Sequence, residues 1–118
     1  SVSKALGAKR EIKEAKKGDM YNPWWNKLSK EGQGTLMYDG KWNLFDQIIL
    51  SSTLLNKDGE KDYSTLKFHR ADIFKRNYLF QTEGRYKGNI KRTTAGGSWL
   101  NGYSDHLPVV VYLVKEIQ

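Results

Sequence analysis

"GYSDHLPVVVYLVK", residues 102–115, is the stretch whose reading decides the fold. A polar tripeptide, Ser104-Asp105-His106, runs straight into an apolar run. That run is short and rich in β-branched residues, which predicts a strand buried on both faces. Pro108 fits such a strand only near its start or at a sheet edge. The tripeptide does not form a Ser-His-Asp relay by itself. Successive side chains of an extended chain point to opposite faces, so Asp105 and His106 cannot aim at one point. A relay also needs the histidine between its partners, one on each ring nitrogen. His106 therefore needs an orienting acceptor from elsewhere in the chain.

"KWNLFDQIILSS", residues 41–52, offers one. Asp39-Gly40 is a hairpin turn signal, and predicted strands over 35–38 and 44–50 flank it. In the second, Leu44, Asp46, Ile48 and Leu50 share one face; Phe45, Gln47 and Ile49 share the other. Both faces are largely apolar, which predicts an inner strand covered on both sides. Asp46 then sits on an apolar face, a costly position for a carboxylate unless a partner compensates its charge. A neighbouring strand's histidine would do so, and His106 is the candidate. The other histidine, His69, lies in "KFHRAD" within a predicted strand over 66–73 and reads as structural or surface.

The remaining segments are coarser. "YNPWWNKLSKEG" predicts a short helix over 23–30, with Asn22 as cap, Pro23 in the first turn and Gly32 as stop. Val2, Ala5 and Leu6 suit another short helix, capped by Ser1 or Ser3. Residues 8–18 are mostly charged and read as a solvated helix end or a loop. "NKDGEKD", residues 56–62, is a polar loop, and residues 81–106 read as long loops rich in Gly, Thr, Asn and Ser. No internal repeat is present.

Composition bounds the function classes. The chain has 118 residues, suited to one domain or a piece of a larger one. A hydrophobic content of 38% argues against a large self-sufficient core, while four Trp, seven Tyr and four Phe argue against disorder. The net charge of +7 suits phosphate-bearing partners, or simply a soluble basic surface. The absence of cysteine excludes disulfides and thiolate zinc sites and leaves the compartment open. No apolar run approaches the length of a membrane-spanning helix, and the start is not patterned as a signal peptide. The opening "SVSKALGAKREIKEAKKG", without an initiator Met, reads as the interior of something longer.

Taken together, Trp42, Asp46 and Ser51, then Ser104, Asp105, His106 and Pro108 in that order, resemble the C-terminal part of the endonuclease/exonuclease/phosphatase superfamily, the DNase I-like domains. That resemblance implies an α/β (α+β) fold: a mostly antiparallel sheet with one or two short helices, about half of a four-layer sandwich. Residues 1–118 would form a single partial domain. The implied roles are specific. His106 would contact the scissile phosphate and share in proton transfer, and Asp46 would hold its tautomer and orientation. Asp105 would be a ligand to a divalent ion, magnesium or manganese, with a turn-capping aspartate as the alternative. Lys91, Arg92 and Ser104 are candidate substrate contacts, with a solvated loop as the alternative for Lys91 and Arg92.

The resemblance has a gap. The family's Asn and metal-binding Glu, and its Gly-Asp-x-Asn motif, have no counterpart here; Gly18-Asp19 with Asn22 has the wrong spacing. The implied function is therefore the C-terminal fragment of a metal-dependent phosphoesterase acting on nucleic acid, lipid or a small phosphate ester, inactive alone. The ion would belong to the complete domain, with no ion held by this chain itself as the alternative. A sheet face including Ile48, Val109 and Val111 would be covered by the missing N-terminal half, or by dimerisation or strand exchange. The rival reading is a small basic nucleic-acid-binding module without catalysis. On that reading the aromatics should be exposed. Their positions on predicted strands and beside Pro23 predict core packing instead.

Overall fold

The computed structural model describes residues 2–57 and 59–117. Along the chain come helix α1 (Val2–Leu6), strand β1 (Met20–Tyr21), helix α2 (Trp25–Ser29), and strands β2 (Leu36–Tyr38), β3 (Lys41–Asn43) and β4 (Leu50–Ser51). Strands β5 (Lys67–Ile73), β6 (Thr94–Ala95), β7 (Ser98–Trp99) and β8 (Val109–Val114) follow, with single 3₁₀ turns between. Among the described residues the strands form four pairs, β1–β4, β2–β3, β5–β8 and β6–β7, rather than one continuous sheet. The first, second and fourth of these are antiparallel. The described residues thus form a mixed α+β arrangement with two small helices. Among the described residues no helix is long and apolar enough to cross a membrane.

The described residues fall into two compact units. Unit 1 comprises residues 1–26, 47–72 and 110–118, and unit 2 comprises residues 27–46 and 73–109. In unit 1 the core is Ala15, Tyr21, Leu50 and Leu55, with Ile12, Leu54, Phe68 and Val111 packed on it. Tyr21 meets Phe68 edge to face, an arrangement that adds to simple area burial. Trp24 is completely buried, and its indole N–H donates to the Ile48 carbonyl at 3.1 Å. Asn22 is buried and well satisfied. Its carboxamide donates to Ser3 Oγ and Gln47 Oε1 and accepts the Trp24 N–H. That last bond closes an Asx turn just before α2, so Asn22 does hold the helix entrance. The helix itself is shorter than expected, and the left-handed Gly32 sends its N–H back to the Leu28 carbonyl. Of the two candidate caps for α1, Ser1 lies outside the described residues and Ser3 lies within the helix.

Unit 2 is built on the β2–β3 hairpin. Asp39 and Gly40 both have positive φ, 50° and 72°. Positive φ at both central positions is the signature of a type I′ turn, whose twist matches the strands it joins. The hairpin arm was misplaced in sequence, however. It pairs Leu36, Met37 and Tyr38 with Asn43, Trp42 and Lys41, not with the apolar residues 44–50. A two-residue turn leaves no other register. Residues 44–49 are instead an irregular connection, and Phe45 and Ile48 are exposed. The double-covered inner strand expected there is therefore absent. The same correction applies to β8: Tyr112, Leu113 and Val114 are exposed and only its first half is shielded. A further hairpin, β6–β7, interrupts the expected long loop, turning on Gly96-Gly97, both at positive φ.

Candidate active site

His106 and Asp46 are sixty residues apart, and both belong to unit 2. The His106 Nδ1 lies 2.6 Å from Asp46 Oδ2, a hydrogen bond just shorter than the roughly 2.7–2.9 Å usual when an N–H meets a carboxylate. Each side chain is 37% exposed, so the pair opens to solvent. With Nδ1 tied to the carboxylate, Nε2 is the ring nitrogen that remains for a ligand or a proton.

Local structure explains the placement. His106 follows a turn in which its own N–H donates to Ser104 Oγ at 3.0 Å, a Ser-type turn that lets a side chain replace a backbone acceptor. The chain is then pinned on the other side. The buried Leu107 donates its N–H to the Thr35 carbonyl at 2.7 Å, and the Pro108 carbonyl accepts from Phe74 N–H at 2.8 Å. Pro108 has no N–H to lose, and its carbonyl supplies this ladder bond.

Asp46 is held by Thr35, a residue the sequence reading did not single out. Thr35 is completely buried. Its hydroxyl is hydrogen-bonded to the Asp46 carboxylate. It also accepts from the backbone N–H of Phe45 (3.3 Å) and of Asp46 (3.4 Å). Burial alone would raise the Asp46 pKa. The Thr35 hydroxyl, the His106 hydrogen bond and charge, and the backbone N–H outweigh it and hold the carboxyl below its ordinary 3.8. Hydrogen bonds to the charged form stabilise that form. Asp46 is thus an ionised acceptor over the whole neutral range.

The other predicted residues stand as follows. Arg92 donates to the Met37 carbonyl at 3.3 Å. It lines a cavity of about 440 Å³ with Met37, Tyr38, Gln81, Tyr86 and Asn89, among others. Lys91 is held by its backbone N–H to the Leu79 carbonyl. Ser104 spends its hydroxyl on the His106 turn, and Asp105 is exposed. Among the described residues no group of three or more His, Asp or Glu side chains could hold a metal ion. A magnesium ion takes near-octahedral oxygen coordination, with one or two carboxylates completed by waters and phosphate oxygens. Asp105 would supply one corner of that sphere, and Asp46 is already committed to Thr35 and His106. These residues alone do not make a metal centre.

The sequence profile of the endonuclease/exonuclease/phosphatase family matches residues 1–115. The chain belongs to this family. No curated protein and no solved structure matches the chain. Membership in the endonuclease/exonuclease/phosphatase family makes this an endonuclease/exonuclease/phosphatase-type domain, and phosphoesters are the substrates the family suggests. The missed residue, Thr35, carries one faint sequence signal. It opens a predicted strand directly before the hairpin turn, where its hydroxyl can reach either arm.

Proposed function

We propose that this chain carries the acid–base half of a phosphoester hydrolase. The observation that carries the reading is the 2.6 Å contact between His106 Nδ1 and Asp46 Oδ2. Asp46 fixes the proton of the neutral imidazole on Nδ1 and supports the imidazolium when the ring is charged. Nε2 then takes a proton from an attacking water, or donates one to a phosphate oxygen. Positioned acid–base groups of this kind contribute about 10²- to 10⁴-fold in rate. Asp105 is one ligand of a divalent ion, magnesium or manganese. The other ligands come from the substrate, from water and from protein outside these residues. Arg92, Lys91 and Ser104 lie on the loops that a phosphate would meet. The exposed apolar end of β8 suits cover by that completing half, or by a second copy of the chain through dimerisation or strand exchange.

A second reading, single-strand binding without catalysis, gains from one observation. Strand positions predict the aromatics to be core residues. Tyr21 and Trp24 of unit 1 are, but Tyr38, Phe45, Tyr78, Tyr86, Trp99 and Tyr103 of unit 2 are all more than half exposed. Tyr78 and Tyr103 meet edge to face at 5.7 Å. Exposed rings among basic side chains are what bases stack on.

One experiment separates the readings. The 118-residue chain is assayed alone, and then fused behind the N-terminal half of a family member, with magnesium and an activated phosphodiester. Little or no turnover alone and clear turnover in the fusion are expected. Magnesium-dependent turnover by the chain alone would overturn the fragment part of the proposal. An inactive fusion, together with salt-sensitive binding of a single-stranded oligonucleotide by the chain, would favour the second reading.

A further inference from the structure

Thr35 touches both halves of the pair at once. Its hydroxyl engages the Asp46 carboxylate, and its carbonyl receives the N–H of Leu107, the residue after His106. Its own N–H donates to the Asn43 carbonyl at 2.8 Å, which ties it to the β2–β3 hairpin. We propose that Thr35 is a positioning residue that sets the orientation of Asp46, and through it the tautomer of His106. The inference rests on the acid–base reading above for its functional meaning, but its test does not depend on catalysis.

Hydrogen-bond capacity limits what the Thr35 hydroxyl can do. A threonine hydroxyl has one proton to give and two lone pairs to offer. In Thr35 both lone pairs face N–H donors, those of Phe45 and Asp46. The single proton is thereby left for the carboxylate, and the hydroxyl cannot rotate without stranding a donor. With 0% exposure at Thr35, no water can take over that task. The carboxylate is consequently held in one rotamer, with Oδ2 aimed at His106 Nδ1. A side chain of the same shape without the hydroxyl would leave two backbone N–H groups short of an acceptor and free Asp46 to turn toward solvent.

The test uses the ring nitrogens, since the chain has only two histidines. ¹⁵N chemical shifts of His106 are recorded at a pH where both rings are neutral, with His69 as internal reference. Wild type should show the Nδ1–H tautomer. Thr35→Val should shift His106 toward the Nε2–H tautomer common in free imidazole, and Thr35→Ser should restore the wild-type pattern. The amide signals of Leu107 and of residue 35 itself should persist in both variants, because the first donates to the residue 35 carbonyl and the second to the Asn43 carbonyl, both backbone bonds. In the catalytically complete fusion, kcat should fall about 10- to 100-fold in the Val variant, with KM little changed. An unchanged His106 pattern in a folded Thr35→Val variant would overturn the proposal, as would a Ser variant that behaves like Val. If Thr35→Val does not fold, the wild-type hydroxyl proton decides. It should be slow to exchange and close to the Asp46 carboxylate, and a rapidly exchanging proton would overturn the proposal.

Discussion

Asp46→Asn is expected to lower kcat by about 10³- to 10⁴-fold in the catalytically complete protein, while leaving KM within a few-fold. The size follows from tautomer control. A carboxylate accepts from Thr35 and from His106 together, but an asparagine has one carbonyl oxygen for the two donors. Thr35 has already filled its lone pairs with the N–H groups of Phe45 and Asp46. It therefore cannot accept from an amide NH₂ and must keep the carbonyl oxygen. The NH₂ is left facing His106 Nδ1, which becomes an acceptor. The ring proton then moves to Nε2, the nitrogen that in the proposed acid–base role takes up the proton of the attacking water. His106→Ala should cost at least as much. Steady-state kinetics on both variants, with ring ¹⁵N shifts as the structural readout, check the claim; a folded Asp46→Asn variant with near wild-type kcat would remove Asp46 from the mechanism.

The same residue gives a pH signature of the fold. The native Asp46 pKa lies below its ordinary 3.8. A carboxyl whose pKa is depressed on folding contributes stability that is present above the unfolded value and lost as the pH falls through the native one. Urea midpoints of wild type and Asp46→Asn should therefore differ most above pH 3.8 and converge below it. Both partners are more than one third exposed, so the difference is reduced by solvent screening and should shrink further in high salt.

How far these features could be read from sequence depends on how local their causes are. The Asp39-Gly40 turn is chemically local: two residues that tolerate positive φ specify it, and the hairpin is there. Its outgoing arm was misplaced because an apolar run, 44–50, outweighed the shorter Lys41-Trp42-Asn43. Periodicity measures burial potential, whereas register is fixed by turn length. The contact between Asp46 and His106 was legible because a carboxylate in an apolar run demands a partner and few candidates existed. Thr35 was not legible, since a threonine on a strand is ordinary and its three hydroxyl bonds come from residues ten and eleven positions away. The exposed rings of unit 2 were misread for a related reason. Aromatics have high strand propensity, and propensity does not say which face meets water.

Gly102→Ala is the substitution expected to damage unit 2 most, although it is neither in the pair nor at a left-handed position. The reason is space. A Cβ at residue 102 would fall within van der Waals radii of the Lys91 carbonyl carbon and oxygen, and 2.5 Å from the Arg92 carbonyl oxygen. These are backbone atoms, so no side chain can swing aside. The approach is held by Gly102 N–H to the Arg92 carbonyl (3.1 Å), Thr93 Oγ1 to the Gly102 carbonyl (3.1 Å) and Leu100 N–H to the Thr93 carbonyl (2.8 Å). All three would have to lengthen or break. Overpacking typically costs about 1–3 kcal/mol, and backbone against backbone belongs at or above the upper end. Gly88 is the informative control. It has φ +91° but nothing within reach of a Cβ, so Gly88→Ala should cost only the roughly 1–2 kcal/mol of left-handed strain. Urea denaturation monitored on unit 2 signals should rank Gly102→Ala well below Gly88→Ala in stability. Loss should extend to function, because the 91–93 and 100–102 segments carry Lys91 and Arg92 and lead directly into Ser104-Asp105-His106. Equal stabilities for the two variants would mean that the close approach at Gly102 does not fix that loop.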